Sequence, residues 1–374
     1  MRNKKRHVNN RRRVRGIPGR APTARESRQI HIKEAKLRAA VLRLRTLERK
    51  GNVATEEDRD ECFREVRRLA ITPNGLISSA FRTILWPFLL GLLSMKQNVR
   101  AISGENVKTE HRDAALIEKD VERSLWHYDV LKRLKETERL SKRRALKNII
   151  LSVLNANTTL FYFQGYHDVV SVFLLTLGNS MDTMRAVQVI SETYQREPMR
   201  SGFEQVMDTT RLLFPLLDAA DELLFRHLQA SGVEPFFALP WMITWFSHQL
   251  KRFEDVARLF DLFLVTHPLF SLYVSAGVLL EARETILCCE CDFGTMHGML
   301  SKLPLTMDIE KVIARALVLF HQKPPEQLRR DSEMLADSGN QNMYFQYPFR
   351  YQPWLSLTKP MLKNVPPLPP RQSR

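Results

Sequence analysis

Leucine and other apolar residues recur at three- and four-residue intervals along most of the chain, as in residues 114–134, 207–229 and 255–265. That spacing lines one face of an α-helix, and alternating β-branched runs are scarce. The pattern predicts an all-α body. Polar punctuation supports the same reading. Thr55-Glu-Glu-Asp58 offers a capping hydroxyl followed by acidic side chains, which suits a helix start. Pro73-Asn74-Gly75 predicts a turn ahead of a second helical run containing Phe81-Arg82-Thr-Ile-Leu-Trp86. Gly178-Asn179-Ser180 ends an apolar helix over 169–177, and Pro215, Pro235, Pro240 and Pro268 mark further boundaries or kinks. Periodicity fades after Leu328. The folded domain is therefore expected over 55–328, between an arm (1–54) and a Pro- and aromatic-rich tail (329–374).

Residues 262–280 hold no Asp, Glu, Lys or Arg, a length that invites a membrane-spanning reading. Thr266-His267-Pro268 interrupts the stretch, so two buried helical pieces are expected, with no transmembrane tail beyond them.

The formal charge of +16 changes the picture only once it is located. Residues 1–50 carry 18 Lys+Arg and 3 Asp+Glu, a net +15 that leaves the remainder at +1. A near-neutral body argues against a nucleic-acid surface there. The runs Lys4-Lys5-Arg6 and Arg11-Arg12-Arg13-Val14-Arg15 predict a self-repelling, disordered arm. Three roles fit it: a solvated tail, an import-like signal, or a contact through residues 1–50 with an anionic membrane surface. Residues 28–50 can form a basic helix with Ile30, Leu37, Val41, Leu44 and Leu47 as a loose apolar stripe. At the other end, Pro366-Pro-Leu-Pro369-Pro-Arg371 is a polyproline-type segment that an SH3-type groove could grip.

Of four cysteines, Cys288, Cys289 and Cys291 are too crowded for a disulfide framework and Cys62 lies more than two hundred residues away, so all read as reduced thiols. Cys288-Cys-Glu-Cys291 with His297 is tighter than zinc-ligand spacing and lacks a second pair, so no metal is expected and buried thiols are. Trp241, Trp245 and Phe246, at near-helical spacing, are read as core.

Two motifs remain that carry chemistry. In Ile117-x-x-Asp120-x-x-Arg123, helical spacing puts three side chains within about a third of the circumference. Asp120 can then aim the Arg123 guanidinium while Ile117 anchors the turn. Tyr162-Phe-Gln164-Gly165 follows an Asn-rich loop. Its glycine admits close approach of another backbone, and His167 and Asp168 follow before the apolar helix. Alone, the first motif is better read as a surface ion pair and the second as a helix entry with a buried aromatic pair. Together, an arginine and a glutamine are what a GTPase lacks when another protein completes its site: one neutralises phosphoryl charge, the other holds the attacking water.

With these motifs in this order, residues 60–325 resemble the TBC-domain family of Rab GTPase-activating proteins. The supporting blocks are Arg82-Thr-Ile-Leu-Trp86, Leu239-Pro-Trp241-Met-Ile-Thr-Trp245-Phe-Ser and Arg258-Leu-Phe-Asp261. The resemblance implies an all-helical fold in which Arg123 and Gln164 enter the GTPase site in trans. Asp120, Tyr162, Gly165 and Asp168 would support them, with Tyr162 bracing the glutamine loop against the partner. Arg82, Trp86 and Ile117 belong to the core of the motif. GTP and Mg²⁺ would belong to the partner Rab in its GTP form, and the chain would have no hydrolase activity of its own.

Two departures stand out: Tyr166-His167-Asp168 where the family often shows Met-Asn-Asp, and Phe260 where Trp is common. The variant run looks like the branch containing TBC-domain family member 20, which implies Rabs of endoplasmic-reticulum-to-Golgi traffic. A cytoplasmic protein peripheral to those membranes is the matching expectation. A helical scaffold that binds a GTPase without accelerating hydrolysis is the alternative from another class.

Overall fold

The computed structural model describes residues 23–51, 54–92 and 110–332. Both basic runs of the arm and the Pro366–Arg371 segment lie outside the described residues. Among the described residues no strand occurs. The chain opens with α1 (Ala24–Lys50), α2 (Glu56–Ile71) and α3 (Ser79–Leu89). Next come α4 (Ala114–Glu122), α5 (Glu136–Ala156), α6 (Tyr166–Leu177) and α7 (Met181–Glu192). Short helices follow: α8 (Glu204–Arg211), α9 (Leu213–Ala220), α10 (Glu222–Ala230) and α11 (Leu239–Ile243). The last group is α12 (Phe253–Phe263), α13 (Phe270–Glu281), α14 (Arg283–Leu287), α15 (Phe293–Leu300), α16 (Ile309–Gln322) and α17 (Pro325–Asp331).

Local chemistry sets several of these boundaries. Thr55 caps α2 by accepting from the Asp58 amide at 3.1 Å, and Ser180 caps α7 by accepting from the Thr183 amide at 3.2 Å. The periodic stretch 207–229 is cut into α8, α9 and α10, and the one at 114–134 is α-helical only as far as Glu122, with a single 3₁₀ turn at Asp129–Leu131. Residues 262–280 form the end of α12 and most of α13, separated at Thr266-His267-Pro268. α13 is buried on all sides at the centre of the body. Its closest neighbour is α16, and a Cβ on Gly277 would lie 2.7 Å from the Val312 carbonyl, so only glycine permits that approach. No helix among the described residues is long and apolar enough to cross a membrane.

The basic helix starts at Ala24, and its apolar stripe is buried against the body. Thr23 and Glu26 form a reciprocal capping box. Lys33, in the middle of the stripe, reaches across to donate to the Thr72 carbonyl at 2.8 Å. This packing brings the ordered core upstream of residue 55.

A buried ionic network ties the N-terminal helices to α12. The Arg82 guanidinium donates to both carboxylate oxygens of Asp261, at 3.0 Å from Nε to Oδ1 and 3.0 Å from Nη2 to Oδ2. Asp261 also accepts from the Trp86 indole at 2.8 Å and the Leu76 amide at 2.9 Å. Both charged side chains are 0% exposed. Burial disfavours the Arg82 charge, but Asp261 and Glu254 outweigh it and hold the guanidinium pKa above its ordinary value.

Trp241, Trp245 and Phe246 are core residues, but the spacing is not helical. α11 ends at Ile243, and Trp245 and Phe246 follow with φ of 50° and 62°. Left-handed backbone at bulky residues costs on the order of 1–3 kcal/mol each, offset here by packing of Trp245 on Tyr194, Phe260 and Phe263. The cysteines depart from expectation differently: Cys62 is buried, but Cys288 and Cys291 are exposed on the turn after α14. Among the described residues no cluster suited to a metal occurs.

Candidate functional site

The site is assembled where the end of α4, the loop entering α6 and the turn after α11 meet. Ile117 and Asp120 are 0% exposed and fix the inner face of α4. Arg123 is not inside the helix but caps its C-terminus, with φ −93° and ψ 3°, and its side chain is 62% exposed. Leaving the helix frees the guanidinium to reach outward while its Nη2 donates to Asp120 Oδ1. That hydrogen bond raises the Arg123 pKa further above its ordinary value. Two arginines of α5 hold the backbone just past it. Arg143 donates to the Ser124 carbonyl at 3.0 Å. Arg139 donates to the Leu125 carbonyl and, at 3.1 Å, to the Leu131 carbonyl.

The second strand of the site is the loop at 157–165. Asn157 shapes its start by accepting from the Thr159 amide at 3.1 Å, and Asp113, just before α4, accepts from the Tyr162 amide at 3.1 Å. Tyr162 is buried, and its hydroxyl turns inward to donate to Asp120 Oδ2 at 2.9 Å. It braces the loop against α4 from within. Burial, then the Asp120 charge, push its pKa well up, so the phenol stays protonated. Gln164 follows and is exposed. Gly165 adopts φ 107°, and a Cβ there would sit 2.8 Å from Thr244 Cγ2. Only glycine makes this turn, which starts α6 at Tyr166, three residues before the apolar run suggested. Arg123 and Gln164 are thus both exposed and are tied through Asp120 and Tyr162.

Behind them runs a chain of histidines and carboxylates. His167 Nδ1 lies 3.0 Å from the Tyr162 hydroxyl, and its Nε2 is 3.4 Å from Asp168 Oδ1. His248 Nδ1 donates to Asp168 Oδ2 at 2.7 Å. The His248 ring stacks on His127 at 6.0 Å, and His127 Nε2 donates to the Leu250 carbonyl at 2.7 Å. His127, His248, Asp113 and Thr244 were not singled out from the sequence. Only the left-handed turn at Trp245-Phe246 brings His248 to α6, and no local spacing signals that. Arg82 and Trp86, by contrast, lie in the core and not at this site.

The hydrogen bond to Asp168 raises the His248 pKa above its ordinary 6.5. Burial works against the Asp168 charge, but His248 and the nearby histidines overcome it and hold the carboxyl below its ordinary 3.8. The pair therefore stabilises the fold fully while His248 is charged below its unfolded pKa, and the contribution fades as pH rises through the elevated folded value. On the acid side it is lost as pH falls through the depressed Asp168 value. In Asp168→Asn the His248 titration should fall back to about 6.5 or below, as followed by NMR of the ring protons. An unchanged titration would mean that Asp168 is not its partner.

Residues 79–287 match the Rab-GTPase-TBC domain family. The chain is 36% identical over 267 residues to TBC1 domain family member 20 of Bos taurus, covering 71% of this chain and 65% of that protein. It is 28% identical over 262 residues to GTPase-activating protein gyp10 of Schizosaccharomyces pombe, covering 69% and 68%. Among solved structures, the Ypt/Rab-GAP domain of Gyp1p aligns with a TM-score of 0.57 at 16% identity, covering 75% of this chain and 98% of that one. The last likeness shows the fold alone. The match spans about 65% of the length of the bovine relative.

Proposed function

The chain belongs to the Rab-GTPase-TBC domain family, and from that membership and the site geometry we propose that it is a GTPase-activating protein for Rab small GTPases. The observation that carries the reading is the hydrogen-bonded chain from Arg123 through buried Asp120 to Tyr162, two residues before exposed Gln164. An exposed guanidinium held by a buried carboxylate is aimed before any partner arrives, which limits the ordering cost on binding.

The partner Rab brings GTP and Mg²⁺. Arg123 neutralises charge developing on the transferring phosphoryl group, and the Gln164 carboxamide orients the attacking water. The chain supplies positioning and charge in trans and hydrolyses nothing unaided. Relatedness to TBC1 domain family member 20 supports extending the proposal to Rabs of endoplasmic-reticulum-to-Golgi traffic, at the cytoplasmic face of those membranes.

Single-turnover GTP hydrolysis across a panel of Rabs tests this. At least one Rab is accelerated by the wild-type chain, and Gln164→Ala loses roughly as much acceleration as Arg123→Ala or somewhat less. Rab binding without acceleration would favour the scaffold reading, and a fully active Gln164→Ala would remove the glutamine from the mechanism.

A further inference from the structure

The loop after Arg123 carries a feature that the finger chemistry does not use. Leu125 turns with φ 62° and buries its own side chain, leaving Trp126 50% exposed. Covering the exposed half of so large an apolar ring would be favourable. This ring is also held in place. Its face stacks on the Arg139 guanidinium, 3.3 Å from carbon to ring centroid. Arg139 itself is 1% exposed and locked to the Leu125 and Leu131 carbonyls. Arg143 approaches the same ring at 6.0 Å while gripping the Ser124 carbonyl.

On its far side the loop is tied to the turn after α11, through His127 to the Leu250 carbonyl and the Asp129 amide to the Lys251 carbonyl at 3.1 Å. Trp126 therefore sits midway along the rim of the site, rigid and half in water.

We propose that Trp126 is an anchor for the partner GTPase: it packs into an apolar patch beside that protein's nucleotide cleft. The proposal rests on the Rab reading above. Trp126 lies three positions after Arg123, so their Cα atoms are at most about 11 Å apart. A partner footprint of about 800 Å² has a radius of about 16 Å. Any protein that brings a nucleotide to Arg123 therefore extends over this loop. Tryptophans that are fixed before binding and become desolvated at an interface are the usual sites of concentrated binding energy. Val130 in the same loop and Leu140 on α5 are also exposed, at 56% and 44%.

The experiment separates affinity from turnover. For a responsive Rab loaded with a non-hydrolysable GTP analogue, Trp126→Ala should weaken Kd by about 10- to 100-fold. At saturating concentration of the variant its maximal hydrolysis rate should stay within about threefold of wild type. Arg123→Ala should show the reverse split. Wild-type Kd in Trp126→Ala beside a catalytically dead Arg123→Ala would overturn the anchor and leave the proposed function standing. Hydroxyl-radical footprinting of the unaltered chain gives a second reading that needs no variant to fold. Protection of Trp126 in the complex supports the proposal, and an oxidation rate unchanged by the Rab overturns it.

Discussion

Arg123→Ala should keep the helical fold and lose nearly all stimulated hydrolysis, a fall of roughly 10³–10⁵. The side chain is 62% exposed and makes its one described bond at its tip, to Asp120, so little of the core depends on it. Arg123→Lys should fare scarcely better. A lysine keeps the charge but lacks the planar fork that lets one face hold a carboxylate while another meets a phosphate oxygen. Stimulated single-turnover rates, read beside melting curves, separate loss of chemistry from loss of fold. An Arg123→Ala variant within a few-fold of wild type would exclude the arginine from the mechanism.

The largest effect on stability is expected at Asp261. Four hydrogen-bond donors converge on this carboxylate from α3 and the turn before it, and its guanidinium partner is fully buried. Asp261→Ala takes away the fully buried counter-charge of Arg82, leaving only the partly exposed Glu254 at 2.9 Å, and leaves the Trp86 indole and Leu76 amide unsatisfied. Breaking a buried pair from one side costs about 3–5 kcal/mol, which for a domain of this size lowers Tm by on the order of 10 °C. A double replacement, Arg82→Met with Asp261→Leu, should destabilise less than Asp261→Ala alone, because no charge is then left buried. Urea unfolding of the three variants checks the order. A small loss from Asp261→Ala would show that water reaches the pair.

What could be read from the chain beforehand followed the range of the signal. Helix class came from apolar spacing, and the capping role of Thr55 from three adjacent acidic residues. Arg123, Asp120, Tyr162 and Gln164 were legible because each motif is contiguous. The capping position of Arg123 was not, since Leu125's left-handed backbone and the α5 arginines that end the helix lie beyond the local pattern. Arg82 and Asp261 were both noticed, but their pairing spans 179 positions and depends on how α3 meets α12. The histidine chain was invisible for the same reason. His127 and His248 carry no spacing in common and meet only through a strained turn that had been read as helical aromatic spacing. The exposed thiols at Cys288 and Cys291 show the reverse error, an apolar residue type taken as evidence of burial.

In the proposed mechanism Arg123 and Gln164 bind more tightly to the reacting nucleotide than to GTP at rest. Affinity for a responsive Rab should therefore be compared with the GTPase loaded with a GTP analogue and with GDP plus aluminium fluoride, which imitates the transferring phosphoryl group. Binding to the aluminium fluoride state should be at least about 10²-fold tighter, and that preference should collapse in both Arg123→Ala and Gln164→Ala. Equal affinity for the two states in the wild-type chain, or a preference that survives both substitutions, would contradict the mechanism.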